Sequence, residues 1–167
     1  AALEETGTAM ILGSGMAAIS TTLLSLLDSG DHIVFQKDIY GGTRNLAEAQ
    51  FDRYGIEYSF TEGLEVSDFE KEIKENTKII YIESPSNPIL KIVDIKAVSE
   101  LAKSRDLLSI IDNTFATPVI QKPATMGVDI ILHSATKYFG GHSDICAGAV
   151  ATSESLKETI WSMSKNL

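Results

Sequence analysis

The chain has 167 residues, 44% of them hydrophobic, and a net charge of -9 from 14 Lys and Arg against 23 Asp and Glu. That length can bury a core as one domain; the acidic balance without a basic run excludes a nucleic-acid surface, and no apolar stretch reaches the roughly 18 residues of a membrane helix. Cys146 is the single cysteine, which excludes an intrachain disulfide and points to a reducing compartment, read as the cytoplasm.

In chain order, AALEETGTAM has neither the basic start nor the apolar run of a signal peptide, and it opens without an initiator Met. GMAAISTTLLSLLDSG reads as a helix with Ile19, Leu23, Leu26 and Leu27 on one face and Ser29-Gly30 as its stop. Strands are predicted at DHIVFQ (31 to 36), IEYSF (56 to 60), KIIYIES (78 to 84), LLSIIDN (107 to 113), DIILHS (129 to 134) and AGAVAT (147 to 152). Glu65, Asp68, Glu70 and Glu72 form an acidic helix start, read as a solvated face that complements the helix dipole. A second clear helix covers Asp94 to Arg105, with Ile95, Val98, Leu101 and Ala102 on one face and Asp94 as N-cap. The chain stops at WSMSKNL inside a helical pattern, and it is expected to be a piece of a longer protein.

Most of these strands are short, near-continuous apolar runs, as in strands buried on both faces. Alternation with helices gives a doubly wound α/β layer structure with a parallel or mixed sheet. Ligands of such sheets bind beyond the carboxyl ends of the strands, which directs attention to the loops DIYGGT, ESPSNP, DNTFATP and SATKYFGG.

Ser14-Gly15 opens a helix whose first N–H groups are unpaired, a place for a phosphate. Ser134 and Thr136, two apart in a segment read as extended, would point their hydroxyls one way and Lys137 the other. Asp112 ends an apolar strand, where a carboxylate calls for a cationic partner. Tyr40 precedes Gly41-Gly42, read as a sharp turn that brings its ring to a planar ligand, and Asn87 sits in a stiff loop between two prolines. His133, His142, Asp144 and Cys146 match no tetrahedral zinc spacing, and no metal is expected. A dinucleotide binder shares the α/β pattern, but G-x-G-x-x-G is absent after a first strand.

An anion-ready helix start, an aromatic, a strand-end carboxylate and a lysine behind two hydroxyls together describe a pocket for pyridoxal 5'-phosphate. SGMAAI, YGGT, ESPSNP, DNTFATP and SATKYFGGHSDICAG, in that order, resemble the Cys/Met-metabolism family of pyridoxal-phosphate enzymes across essentially the whole chain. The resemblance implies a three-layer α/β/α large domain with a mostly parallel sheet, aspartate-aminotransferase-like (fold type I), over residues 1–167. It implies that Lys137 forms the Schiff base with the cofactor and shuttles protons, and that Asp112 pairs with the pyridine nitrogen. Gly15 and Met16 would give backbone donors, and Ser134 and Thr136 side-chain donors, to the phosphate. Tyr40 would stack on the ring and assist proton transfer, Asn87 would contact the ring's phenolic oxygen, and Thr114 would support the pocket near Asp112. A Schiff base needs a neutral amine, a state that desolvation of the lysine favours.

The same resemblance implies γ-elimination or γ-replacement on a small-molecule sulfur amino acid or an activated homoserine, in a homotetramer. Family members carry an N-terminal segment with a Tyr and an Arg for the phosphate of a neighbouring subunit. They also carry a C-terminal domain whose Arg binds the substrate carboxylate. Arg44, Arg53 and Arg105 lie in none of the matching motifs, so this chain is expected to be the central cofactor-binding part. Gly42 stands where methionine γ-lyases usually have Cys, and ESPSNP is similar to the cystathionine γ-synthase and γ-lyase branch rather than the O-acetylhomoserine sulfhydrylases. The contrasting expectation is a folded piece that binds the cofactor or self-associates without turnover.

Overall fold

The computed structural model describes residues 1–166. Strand β1 (Thr8–Leu12) leads into helix α1 (Gly15–Leu26), and β2 (His32–Phe35) into α2 (Gly41–Leu46), which continues through a π-helical segment (Ala47–Phe51) to α3 (Asp52–Tyr54). Then follow β3 (Glu57–Phe60), α4 (Val66–Glu72), β4 (Thr77–Glu83), α5 (Ile95–Ser104) and β5 (Leu108–Asp112). The short helix α6 (Thr117–Ile120), a 3-10 turn (Pro123–Met126), β6 (Ile130–His133), β7 (Gly148–Thr152) and α7 (Glu154–Ser164) complete the order.

The seven strands make one sheet in the order β1-β7-β6-β5-β4-β2-β3. Neighbours from β6 through β3 run parallel, whereas β7 is antiparallel to both β6 and β1. Strand alternation divides the core in two. Ile79 and Tyr81 of β4 face a layer built from α1, the α2–α3 segment and α7, through Ile19, Leu23, Phe51 and Ile160. Ile80 and Ile82 face Phe69 of α4 and Ile95, Val98 and Ala102 of α5. Burial on both sides is why these strands read as continuous apolar runs, and the three-layer α/β/α architecture is the expected one.

The helix caps follow the sequence. Ser14 Oγ accepts the Ala17 N–H at 3.0 Å, and Asp94 Oδ1 accepts the Ala97 N–H at 3.0 Å. Helix α1 stops earlier than Ser29-Gly30, because Leu27 turns extended to bury its side chain in the core. Two elements depart from expectation. β1 pairs antiparallel with β7 in a stretch assigned no strand, and Gly41-Gly42 do not form a turn but open helix α2. That helical run reaches Tyr54 and is closed by Gly55 at φ 71°, the left-handed geometry favoured by glycine at a helix end.

Candidate active site

The loops after β2, β4, β5 and β6 meet the start of α1 around a cleft of about 220 Å³. All nine residues singled out in the sequence line it: Gly15, Met16, Tyr40, Asn87, Asp112, Thr114, Ser134, Thr136 and Lys137. Ser14, Ile19, Glu83 and Phe115 line it as well.

One wall is the first turn of α1. Ser14 Oγ caps Ala17 and Ser14 O takes the Ala18 N–H at 3.0 Å, which leaves the Gly15 and Met16 N–H groups without a partner among the described residues. Gly15 is required here by space, since a Cβ would lie 2.8 Å from Ser134 Cβ and 2.9 Å from its Oγ. Glycine therefore lets the helix start and the Ser134 hydroxyl converge on one point.

Ser134 to Lys137 is not extended. The Lys137 N–H bonds Ser134 O at 3.0 Å and the Gly140 N–H bonds Ala135 O at 2.8 Å, so the chain turns directly after β6. The expected opposition of hydroxyls and amine is replaced by a helical turn, in which Ser134, Thr136 and Lys137 nonetheless all line the cleft. Thr136 Oγ1 accepts the Ala147 N–H at 3.0 Å and donates to Ala147 O at 3.2 Å, pinning this turn to the segment before β7. Lys137 is exposed at the cleft edge and has no ion pair among the described residues.

Asp112 ends β5 and is 7% exposed. Its Oδ1 accepts the Thr114 N–H at 2.9 Å, while Thr114 Oγ1 accepts the Ser134 N–H at 2.8 Å, so Thr114 ties the carboxylate to the lysine-bearing turn. Burial raises the Asp112 pKa, opposed by hydrogen bonds from Thr114 and by the nearby His133. No cationic side chain forms an ion pair with Asp112 among the described residues. On the opposite strand face His133 pairs with Glu4 at 2.5 Å, and Glu4 also accepts from Asn113 Nδ2 at 2.7 Å. His133 thus belongs to a buried network beneath the site.

Tyr40 is the N-cap residue just before α2 and is 42% exposed; a Cβ on Gly42 would lie 2.4 Å from Tyr40 Cε1, so Gly42 gives the ring its seat. Asn87 is half-buried, between two prolines that each follow a cis peptide bond. Sequence reasoning missed Glu83, the last residue of β4, which is 5% exposed. Burial, together with Asp112, pushes its pKa up to about 8 against the pull of the Tyr40 and Asn87 N–H groups. The signal was present: Glu83 ends an apolar strand just as Asp112 does.

A strand-end carboxylate, a lysine and the first turn of a helix share one cleft of a three-layer α/β/α fold, the arrangement of a ligand-binding α/β domain. The same fold recurs in the solved cystathionine gamma-lyase of Lactobacillus plantarum complexed with L-serine. There the TM-score is 0.94 at 44% identity, covering 99% of this chain and 43% of that one. Residues 1–166 match the family described as Cys/Met metabolism PLP-dependent enzyme, and the chain belongs to that family.

Its relatives include the L-methionine gamma-lyase of Fusobacterium nucleatum subsp. nucleatum, 46% identical over 161 residues, 96% of this chain and 41% of the relative. The cystathionine gamma-lyase of Bacillus subtilis is 49% identical over 150 residues, 90% of this chain and 39% of the relative. Cystathionine beta-lyase MetC of the same organism is 49% identical over 154 residues, 92% and 39% respectively. The chain thus spans about two-fifths of the length of these relatives.

The cleft fits the family's cofactor on its own chemistry. Gly15 and Met16 present free N–H groups beside the Ser134 hydroxyl for a phosphate, and Asp112 offers a buried carboxylate for a protonated ring nitrogen. Lys137 brings an amine to the same cleft, and Tyr40 and Asn87 supply an aromatic face and an amide. Among the described residues no helix is long and apolar enough to cross a membrane.

Proposed function

We propose that this chain forms the cofactor-binding part of a pyridoxal-phosphate enzyme of sulfur amino-acid metabolism that eliminates or replaces a γ-substituent. Its substrates are a cystathionine-like thioether or an activated homoserine. The observation that carries the reading is the convergence of Lys137, Asp112 and the free amides of Gly15 and Met16 on one cleft.

Each side chain has a task in keeping with its chemistry. Lys137 would hold the cofactor through its amine and would move a proton between substrate carbons. Asp112 would hold a proton at the ring nitrogen, and its burial would strengthen that charge–charge contact. Tyr40 would cover the ring and take part in proton transfer. Asn87 would orient the ring at its phenolic oxygen. Ser134, Gly15 and Met16 would fix the phosphate, Thr136 would brace the same turn through its bonds to Ala147, and the cofactor, when bound, would supply the electron sink for carbanion chemistry. The enzyme works in the cytoplasm, in keeping with the single cysteine of this chain, as a homotetramer whose further segments bind the substrate carboxylate.

Cystathionine beta-lyases at 49% and 50% identity favour a second reading, β-elimination from cystathionine with the same residues. The test is an assay of the purified full-length protein with pyridoxal phosphate against cystathionine, methionine and O-acylated homoserine plus a thiol. Release of ammonia and a 2-oxo acid, or formation of a thioether, supports the reading, with homocysteine or cysteine as the thiol product separating β- from γ-cleavage of cystathionine. No turnover of any of them, by protein shown to hold the cofactor, would leave the chain a binder without this activity.

A further inference from the structure

Glu83 makes two contacts that join distant parts of the cleft. Its Oε2 accepts the Tyr40 N–H at 2.5 Å, and its Oε1 accepts the Asn87 N–H at 3.0 Å. Tyr40 is the N-cap residue just before α2, whereas Asn87 lies in the proline-bounded loop after β4. The carboxyl group itself is held by a fixed backbone: the Glu83 N–H donates to Gln36 Oε1 at 3.0 Å, and Gln36 Nε2 donates to Glu83 O at 2.9 Å. Gln36 is fully buried, so this clamp lies inside the fold. The loop after β4 is already closed by its own bonds, the Ser86 N–H to Lys91 O at 2.9 Å and the Leu90 N–H to Ser86 O at 2.7 Å. The bond to Tyr40, 43 residues away in sequence, ties that loop to a different element.

We infer that Glu83 is the positioning residue for the Tyr40–Asn87 wall of the cleft, seating the aromatic ring and the amide together against the cofactor. The inference rests on the reading of the cleft as the pyridoxal-phosphate site. Glu83→Gln keeps one acceptor and sets an amide NH2 against the other N–H, so it loosens one of the two ties without removing bulk. Glu83→Asp keeps the carboxyl group and draws it back by one methylene.

The test uses the full-length holoenzyme. The dissociation constant of pyridoxal phosphate and the visible circular dichroism of the bound cofactor are measured for the parent and both variants. The same is done in a Tyr40→Ala/Asn87→Ala background. Glu83→Gln should weaken binding about tenfold and alter the dichroic band in the parent, yet change affinity by no more than about twofold once the two positioned side chains are gone. Glu83→Asp should behave likewise while still melting cooperatively.

An equal loss in both backgrounds, or parent affinity and dichroism in the variants, would overturn the inference. So would unfolding of both variants, which would make Glu83 a support of the fold rather than of the site. Borohydride labelling of the parent separates this from failure of the underlying reading. A parent that takes no label on Lys137 removes both; a labelled parent with unchanged Glu83 variants removes only this one.

Discussion

Glu83 and Asp112 are register partners at the ends of adjacent parallel strands β4 and β5, and both carboxyl groups line the same cleft. Two buried acids side by side raise each other's cost of ionisation. Here the pKa of Glu83 reaches about 8, from burial first and Asp112 second.

That shift makes stability fall with rising pH. The folded state holds a proton on Glu83 that the unfolded chain releases near its ordinary value of 4.5. The contribution is therefore complete below about 4.5 and lost as pH rises through about 8, at up to about 1.4 kcal/mol per pH unit. Asp112, also raised by burial, adds in the same direction. Denaturant titrations from pH 5 to 8 should show this decline in the cofactor-free protein, and Glu83→Gln should flatten it.

His32 produces the opposite slope on the acid side. It is buried between Thr77 Oγ1 at 2.8 Å and Ser59 Oγ at 3.1 Å, and burial, then Lys74, lowers its pKa to about 4. Its contribution is present above 6.5 and lost as pH falls through about 4. Replacing His32 with Gln should lower stability at pH 7 and weaken the loss between pH 6.5 and 4, followed by the denaturation midpoint.

Gly15→Ala should be costly despite the helical setting, where alanine is otherwise favoured. The new Cβ would sit 2.8 Å from Ser134 Cβ, and parting the two segments is expected to cost about 1 to 3 kcal/mol. Pyridoxal-phosphate affinity should fall with it, because the same movement separates the Gly15 and Met16 amides from the Ser134 hydroxyl. Equilibrium unfolding and a cofactor titration check both effects.

Asp112→Asn should leave the fold and the attachment at Lys137 in place while lowering turnover by about 100-fold or more, since an amide supplies no charge for a protonated ring nitrogen. Single-turnover kinetics on the cofactor-loaded, unreduced full-length enzyme measure this directly.

How legible these features were depended on the kind of signal each residue leaves. β2, β4, β5 and β6 announced themselves because both sheet faces are covered, as Ile79 to Ile82 show. β1 did not: it is a five-residue edge strand in which Ile11 is 69% exposed, and only pairing with β7 makes it a strand. Gly41-Gly42 have poor helix propensity, yet the helix they open is anchored by Thr43 and Ala47 in the core, so packing outweighs the local preference. The cleft residues were found through their motifs, but the local geometry at Ser134 to Lys137 was misjudged. The turn there is set by the Thr136–Ala147 bonds, and an eleven-residue separation leaves no periodic trace. Glu83 shared the strand-end signal of Asp112, but its tie to Tyr40 is visible only in three dimensions.

The measurement that bears most directly on the cofactor site is borohydride reduction of the full-length protein incubated with pyridoxal phosphate, followed by peptide mapping, with Lys137→Ala in parallel. A phosphopyridoxyl group on Lys137, absent from the variant, is the expected result. Label spread over surface lysines, or equal label in Lys137→Ala, would contradict the assignment of this cleft as the cofactor site.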